Sequence, residues 1–443
     1  MNKYHVTSID CGGLMTLEKY SIEHIDTSAR HGRPFLTFTL WLAANLTIAD
    51  YALGAVLYGL GFNYITLALI IGNVLAGLLL GLTAAMGPRF GYPQMMISRA
   101  YFGKKGNAPF AIANWLSTLG WFTVNVILGS YALQLVGIPF YAGALALIMV
   151  QGLLALYGHD VIHKFELAMS IMLGIMFIAV GVIAYMGART NFATYEAAAV
   201  FNPSTFALAI AVVFSYLMSW SPYASDYSRY FPENTSLRKI TAYALAGGAI
   251  ACIGVELVGA LVYVSVGSAT ANPIGALAQV SGGYAAFSLA AIVFGAIAAN
   301  ALNLYTNSLS ALIVYEKVKR WQAVLLGCVA GFVFAIAGAT DFVPFYQNFL
   351  LTLDYWITPW IGVMVGAFFL RKIRSGVESQ KGILWKAVGA YLAGLAVSVP
   401  FMNLTSYGIP YTGFVASLIG GADVSYFISF IVALLCYLAF TKK

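Results

Sequence analysis

Charged residues are scarce in this sequence. Asp, Glu, Lys and Arg together make up 9% of the 443 residues, whereas hydrophobic residues make up 61%, and the mean hydropathy is +0.83. Because a soluble protein of this composition could not cover its surface with polar groups, a soluble fold is excluded. At roughly 20 apolar residues per crossing of the bilayer, the chain accommodates about ten to twelve membrane-spanning helices. The composition therefore predicts an all-α, multi-pass membrane protein.

Cysteine and histidine are rare too. The four cysteines are isolated from one another, and the five histidines all fall outside the predicted spans. This distribution argues against a disulfide framework or a metal site. It also argues against an intramembrane enzyme, which would need Asp, His or Ser at catalytic spacing within the spans. The first 34 residues lack the apolar region of a cleaved signal peptide. We therefore expect no metal, no cofactor and no enzymatic activity.

Apolar runs long enough to cross a bilayer recur along the chain. They predict spans 1 to 12 near residues 35–61, 64–87, 110–135, 138–157, 165–187, 206–230, 240–267, 285–315, 321–339, 343–370, 384–403 and 423–441. Between spans 2 and 3, the amphipathic centre of segment 87–106 predicts a short interfacial helix.

Two offsets along the chain suggest an internal repeat. The polar midpoints of spans 1 and 6, near Asn45 and Ser221, are 176 residues apart, and Trp121 of span 3 lies 182 residues before Asn303 of span 8. Near-equal offsets fit two inverted repeats of five helices. We expect a cytoplasmic segment at 1–34, a ten-helix core at 35–371 with repeats at about 35–187 and 206–371, and two peripheral helices with a short cytoplasmic C-terminus within 384–443.

The positions of the basic residues predict the orientation. If the N-terminus is cytoplasmic, 22 of the 23 Lys and Arg residues fall on the cytoplasmic side, and Arg189 alone falls outside. The positive-inside rule therefore predicts a cytoplasmic-membrane protein with both termini in the cytoplasm. It also explains the net charge of +7 without a nucleic-acid partner. The bilayer is the partner that the charge distribution implies, and no protein partner is required.

Span 6 loses its helical character at its midpoint. The sequence FALAIAVVFSYLMSWSPYASDYSRYFP, residues 206–232, is apolar up to Met218 and then introduces Ser219, Trp220, Ser221 and Pro222 at bilayer depth. Proline removes a backbone donor, so the freed polar groups need protein, water or a ligand as partner. This pattern is typical of a discontinuous transporter helix. A simple proline kink satisfied by serine hydroxyls is the alternative.

Other spans carry polar groups with two interpretations each. Asn45, Thr47 and Asp50 in span 1, and the stripe Asn300, Asn303 and Asn307 in span 8, either line a cavity or bind a neighbouring helix. Trp121 and Asn125 share one face of span 3 and suit a flat ligand with polar edges, or interhelical packing. The acidic groups Asp50, Glu256 and Asp354, with Asp226 and Asp423 closer to the span ends, are each a possible proton relay or a structural partner, and the sequence singles out none of them.

Four motifs resemble the nucleobase:cation symporter-1 family, specifically its purine and cytosine permease branch. They are GPRFGYPQMMISRAYFG at 87–103, GWFTVN at 120–125, SWSPYASDY at 219–227 and ANALNLYTNSLS at 299–310. The resemblance covers spans 1 to 10 and implies the leucine-transporter-type fold of two inverted five-helix repeats. It also implies symport of a nucleobase with a cation. Carried over by motif, Trp121 and Trp220 stack on the substrate ring, and Asn125, Ser219 and Asn303 bind its edge, with Asn300 as a further candidate.

The coupling ion is a separate expectation. By resemblance, sodium-dependent members use backbone carbonyls of span 1, here Ala43 and Leu46 beside Asn45, together with hydroxyl groups of span 8. The facing turn of span 8 reads GAIAA, residues 295–299, and contains no Ser or Thr. The sequence therefore favours a proton over sodium, although a shifted register would bring Thr306 or Ser308 to this position.

The resulting prediction is a symporter that imports cytosine or a purine with a proton by alternating access. One alternative keeps the class and changes the substrate to hydantoin, allantoin, uracil or a vitamin precursor. A channel is the other alternative, but two tryptophans facing one occluded site do not favour it.

Overall fold

The computed structural model describes residues 20–157, 159–267 and 273–442. Residues 1–19, most of the predicted N-terminal segment, lie outside the described residues. Within the described part of the chain the protein is helical, without a β-strand beyond two isolated bridges. Nine of its helices are long and apolar enough to cross a bilayer, and three shorter apolar helices correspond to spans 1, 11 and 12.

The helices follow the predicted spans closely. Span 1 comprises Phe35–Asn45, Ile48–Tyr51 and Gly54–Leu57, and span 6 comprises Pro203–Met218 and Ala224–Ser228. The other spans are Phe62–Ala84, Lys104–Leu135, Phe140–Tyr157, His159–Ala188, Leu237–Val266, Ala285–Val314, Arg320–Gly338, Phe342–Val365, Trp385–Ser398 and Ser425–Phe440. Shorter helices at Gly87–Phe90, Gln94–Phe102, Phe192–Ala198, Pro273–Ser281 and Phe414–Leu418 join them.

Alternation of the spans gives the molecule two ends. We call the end that holds the start of span 1 and the end of span 12 the terminal face, and the other end the opposite face. Every described Lys and Arg lies at the terminal face except Arg189, which follows the last turn of span 5. The charge asymmetry of the sequence is therefore an asymmetry of the folded molecule.

The helix predicted between spans 2 and 3 exists but is not interfacial. All nine residues of Gln94–Phe102 are buried. Its polar groups bind neighbouring helices, because the Gln94 backbone N–H donates to Asp226 Oδ1 at 2.8 Å and Arg99 Nη2 donates to the Ile313 carbonyl at 2.9 Å. The amphipathic pattern of this segment thus reflects contacts inside the protein.

Glycines let span 1 pack closely against spans 7 and 8. A Cβ atom placed on Gly259 of span 7 would lie 2.2 Å from the Tyr51 carbonyl oxygen, and one on Gly247 would lie 2.4 Å from that of Phe38. On span 8, a Cβ at Gly295 would lie 2.6 Å from the Leu46 carbonyl oxygen. Small residues permit this close approach of helix backbones in membranes. They position the broken part of span 1 at the centre of the core.

Candidate functional site

Span 6 is discontinuous, as its sequence predicts. The first helix ends at Met218, a 3-10 turn covers Ser221–Tyr223, and a short helix follows at Ala224–Ser228. The Ser219 hydroxyl donates to the Tyr216 carbonyl at 2.7 Å. The Ser221 hydroxyl is buried and has no hydrogen-bond partner among the described residues. The break therefore exposes polar groups toward the protein interior.

Span 1 is interrupted at Leu46 and Thr47. Leu46 leaves the helical conformation, and Thr47 is extended and caps the next helix by accepting from the Asp50 N–H at 3.3 Å. The Thr47 hydroxyl also shares a hydrogen bond of 2.7 Å with the Tyr216 hydroxyl of span 6. The polar residues Asn45 and Thr47 thus mark a real break in the helix.

The two breaks are tied to each other. Trp220 Nε1 donates to Asn45 Oδ1 at 2.9 Å, and Asn45 Nδ2 donates to the Trp41 carbonyl at 2.7 Å. The side-chain amide of Asn45, which is predicted to lie at the coupling-ion site, is therefore hydrogen-bonded to Trp220 and to its own helix. Trp220 also packs edge-on against Trp41 and Tyr223, with ring centroids 5.3 Å away in both cases.

Trp121 lies at the centre of a second aromatic group. Its ring meets Tyr216, Tyr346 and Phe349 in edge-to-face contacts, at centroid distances of 5.2, 6.0 and 5.2 Å. No ring contact joins Trp121 to Trp220 among the described residues. The two predicted stacking residues therefore belong to separate aromatic groups, one around Trp121 and one around Trp220. The buried Trp121 Nε1 has no hydrogen-bond partner in the described chain.

The three predicted amides have different surroundings. Asn125 Nδ2 donates to the Trp121 carbonyl at 3.1 Å, and its Oδ1 is buried without a partner among the residues described. Asn303 donates to Asn300 Oδ1 at 3.2 Å and accepts from the Tyr223 hydroxyl at 3.4 Å. Asn300 in turn donates to the Phe122 carbonyl at 2.9 Å and to Gln151 Oε1 at 3.2 Å. Asn300 therefore joins spans 3, 4 and 8 and orients Asn303.

The residues of the polar stripe of span 8 differ in their contacts, and the two interpretations of the stripe apply to different residues. Asn307 Nδ2 binds the Trp115 carbonyl at 2.8 Å and the Thr118 hydroxyl at 3.0 Å, so it holds spans 3 and 8 together. Asn303 instead faces the short helix of span 6 through Tyr223. Helical spacing identified the stripe but could not separate the residue that faces span 6 from those that bind span 3.

The register of span 8 against span 1 agrees with the sequence prediction. The Leu46 carbonyl oxygen faces Gly295, the first residue of the GAIAA turn. Thr306 instead donates to Asp226 Oδ2 at 2.9 Å, and Ser308 donates to the Tyr305 carbonyl at 2.6 Å. The Ala43 carbonyl accepts the Leu46 N–H at 3.2 Å. The two span 8 hydroxyls are thus engaged away from the break in span 1.

Two cavities flank the aromatic groups. A narrow cavity toward the opposite face is lined in part by Leu53, Tyr263 and Tyr346. A second, tighter cavity toward the terminal face is lined in part by Trp41 and Tyr227. Tyr346 contacts Trp121, and Trp41 contacts Trp220. The aromatic groups therefore separate a cavity near one end of the molecule from a cavity near the other.

Several residues of this region were missed by sequence reasoning. Trp41 and Tyr216 each lie four residues before a selected position, Asn45 and Trp220, so helical spacing could have found them. Tyr346 and Phe349 of span 10 carry no such sign, because their contact with Trp121 depends on tertiary packing. Across the described ranges, no group of three or more His, Cys, Asp or Glu side chains is placed to hold a metal ion.

Comparison with known proteins identifies the chain. Residues 24–429 match the family of permeases for cytosine/purines, uracil, thiamine and allantoin. YxlA of Bacillus subtilis is 28% identical over 447 residues, covering 97% of this chain and 96% of YxlA. The purine-cytosine permease fcyB of Emericella nidulans is 27% identical over 456 residues, covering 96% of this chain and 88% of that protein.

A solved structure shares the fold. Mhp1, a nucleobase-cation-symport-1 family transporter in a closed conformation with bromovinylhydantoin bound, superimposes with a TM-score of 0.77 at 19% identity. The likeness covers 95% of this chain and 94% of Mhp1, and it shows the predicted leucine-transporter-type architecture. The chain is therefore a membrane transporter, not an enzyme, and it belongs to the purine and cytosine permease branch of the nucleobase:cation symporter-1 family.

Proposed function

We propose that this transporter imports a nucleobase, cytosine or a purine, together with a proton by alternating access. The observation that carries the proposal is a hydrogen-bond donor and a hydrogen-bond acceptor beside the Trp121 ring that no described residue engages. Trp121 Nε1 and Asn125 Oδ1 are both buried, and neither has a partner among the described residues. A nucleobase offers ring N–H donors and carbonyl acceptors in one plane, which match this combination.

The substrate ring and its edge are recognised by different groups in this proposal. Trp121 and Trp220 supply aromatic faces, and stacking of a base on such a face contributes about 1 to 3 kcal/mol. Asn125, Ser219 and Asn303 bind the edge, and Asn300 holds Asn303 in position. Because an unpaired buried amide is costly, these groups discriminate between bases more strongly than the rings do.

Alternating access requires that the aromatic groups separate in turn. In the proposed cycle, spans 1, 2, 6 and 7 move against the other spans. Movement of Tyr346 and Phe349 away from Trp121 would join the site to the narrow cavity at the opposite face. Movement of Trp41 and Trp220 would join it to the smaller cavity at the terminal face. In this proposal the terminal face is cytoplasmic, as the positive-inside rule predicts, so both termini lie on the cytoplasmic side of the cytoplasmic membrane.

Proton coupling is favoured by the surroundings of the Leu46 carbonyl. Sodium prefers several hard oxygen ligands, and the facing GAIAA turn supplies no hydroxyl. Thr306 and Ser308 are engaged elsewhere. Ala43, Leu46 and Asn45 therefore act in this proposal as a structural break in span 1 and not as a sodium site.

Uptake into proteoliposomes tests the substrate and the cation together. Radiolabelled cytosine is supplied with an inward proton gradient or an inward sodium gradient, and adenine, hypoxanthine, uracil, hydantoin, allantoin and pyridoxine serve as unlabelled competitors. We expect accumulation with the proton gradient alone. Accumulation with sodium alone would contradict the coupling, and failure of every nucleobase to accumulate or compete would contradict the substrate.

Substitutions assign that uptake to the site. We expect Trp121→Ala and Asn303→Ala to abolish accumulation. Trp321→Ala and Asn63→Ala, at exposed positions of spans 9 and 2, are the matched controls and should retain it. Normal uptake by both site variants would place the substrate elsewhere in the core.

A further inference from the structure

Two buried carboxyl groups lie on neighbouring segments of the core, apart from the proposed substrate groups. Asp50 belongs to the second segment of span 1, and Glu256 belongs to span 7. Both side chains are fully buried. The segment that carries Asp50 packs directly on span 7 one turn from Glu256, because a Cβ on Gly259 would lie 2.2 Å from the Tyr51 carbonyl oxygen. Asn73 of span 2 donates from Nδ2 to Glu256 Oε2 at 2.5 Å. Spans 1, 2 and 7 therefore meet at this Asp50/Glu256 pair.

The pair has no compensating cation among the described residues. The other titratable side chains that act on it are Cys252 of span 7, Tyr216 of span 6 and Tyr346 of span 10, and none of them is basic. Both oxygens of Asp50 and Oε1 of Glu256 accept no hydrogen bond from any described donor. Two adjacent buried carboxylates repel each other and are poorly solvated, so they do not both ionise. At least one proton is therefore held at this position.

Two tyrosines connect the pair to the proposed substrate site. The Tyr216 hydroxyl binds Thr47 at 2.7 Å, and the Tyr346 hydroxyl donates to the Ala49 carbonyl at 2.7 Å. These contacts hold the segment that carries Asp50. Both tyrosine rings also contact the Trp121 ring. In this proposal a substrate that stacks on Trp121 shifts one of these contacting rings, and that shift is transmitted to the Asp50 segment.

The same segment adjoins a cavity toward the opposite face. Ala52 and Leu53, which follow Asp50 in span 1, line this narrow cavity together with Tyr263 and Tyr346. Movement of span 1 would then change which face the pair communicates with.

We propose that the Asp50/Glu256 pair is the group that carries the coupled proton. In each cycle a carboxylate oxygen of the pair accepts a proton from water at the opposite face, forming an O–H bond. The same bond breaks when the proton passes to water at the terminal face, so the carboxylate is restored without any redox change. This inference rests on the proposed proton symport and names the residues that perform it.

The test separates driven transport from exchange. Asp50→Asn and Glu256→Gln preserve shape and remove the titrating group. We expect each variant to bind cytosine and to exchange internal for external cytosine without a gradient, at rates within about threefold of the unmodified protein. Each should lose accumulation driven by an inward proton gradient, and proton uptake measured with an internal pH dye should fall to background. Asp354→Asn, at another fully buried carboxyl of span 10, is the matched control and should keep both activities.

Other variants cover the case in which removal of a carboxyl prevents folding. Asp50→Glu and Glu256→Asp retain both carboxyl groups and should retain driven accumulation. Asn73→Ala removes the donor that contacts Glu256 Oε2, so the pH profile of proton-driven uptake should change. An unchanged pH profile in Asn73→Ala would contradict the inference.

The outcomes also distinguish this inference from the proposed function. If the unmodified protein accumulates cytosine with a proton gradient and Glu256→Gln and Asp50→Asn still do, the pair is not the carrier and the function stands. If the unmodified protein accumulates cytosine only with sodium, the proposed coupling itself is wrong. Loss of binding, exchange and accumulation together in folded variants would assign the pair a structural role and overturn the inference.

Discussion

At the scale of the residue, Trp121 makes two contributions that substitution can separate. Its ring offers an aromatic face, and its Nε1 is a buried donor without a partner among the described residues. Phenylalanine keeps a face and removes the donor. We expect Trp121→Phe to weaken cytosine binding about fivefold, which corresponds to one hydrogen bond of about 1 kcal/mol.

Competition binding to purified protein measures this effect. Trp121→Ala, which removes face and donor, should weaken binding much further. Trp321→Phe, at a side chain that is 54% exposed on span 9, controls for the loss of an indole. Equal affinity of Trp121→Phe and the unmodified protein would show that Nε1 does not bind substrate.

A second prediction at this scale concerns the Trp220 indole N–H, which ties span 6 to span 1. Trp220→Phe leaves Asn45 Oδ1 buried without its donor, so we expect a loss of about 1 to 3 kcal/mol in unfolding free energy. Thermal unfolding in detergent of Trp220→Phe, Asn45→Ala and the double variant completes the cycle. Strictly additive effects would mean that the 2.9 Å hydrogen bond contributes no coupling.

At the scale of the element, the close crossing of spans 1 and 7 depends on glycine. A Cβ at Gly259 would lie 2.2 Å from the Tyr51 carbonyl oxygen, whereas a Cβ at Gly254 of the same helix would meet no described atom within 4 Å. We expect Gly259→Ala to lower the unfolding free energy by about 1 to 3 kcal/mol or more, as overpacking does, and to abolish uptake.

Gly254→Ala is the matched control for this substitution. It makes the same chemical change in the same helix and should leave stability and uptake near those of the unmodified protein. Thermal unfolding and uptake are measured on both variants. Similar losses in the two would show that contact with span 1 does not determine the effect, since alanine is a better helix former than glycine.

At the scale of the whole molecule, an ion pair joins distant parts of the terminal face. Glu316 follows span 8 and lies 2.7 Å from Lys104 and 3.2 Å from Arg99, at the start of span 3 and in the preceding helix. The hydrogen bond from Lys104, with the charges of Lys104 and Arg99, holds the pKa of Glu316 below its usual value despite partial burial.

The sign of the pH dependence follows from this lowered pKa. The stabilisation is fully present above the usual glutamate pKa, about 4.3, and is lost as the pH falls through the lower pKa of the folded state. Because the side chain of Glu316 is 46% exposed, the effect is at most about 1 kcal/mol. Glu316→Gln should therefore lower thermal stability slightly at pH 7, and the difference should shrink toward pH 4. A difference that grows as the pH falls would contradict this account.

Hydropathy and charge were sufficient to predict much of the fold from the sequence alone. Apolar runs must cross the bilayer as helices, because backbone groups in lipid need internal partners. The position of Pro222 after Ser219 and Trp220 predicted either a break or a kink in span 6, and the structure shows the break. The positions of the basic residues relative to the spans predicted that they would gather at one end of the molecule, which is the terminal face. These features follow from local composition and from the bilayer as solvent.

Contacts between distant segments were decided only by the tertiary structure. Helical spacing shows that Trp121 and Asn125 share a face, but not that Tyr216, Tyr346 and Phe349 surround that indole. It does not show that the helix at Gln94–Phe102 is buried, or that Asp50 meets Glu256. Periodicity specifies the side of a helix on which a residue lies. The neighbour on that side is determined by how all twelve spans pack together, which is a property of the whole chain.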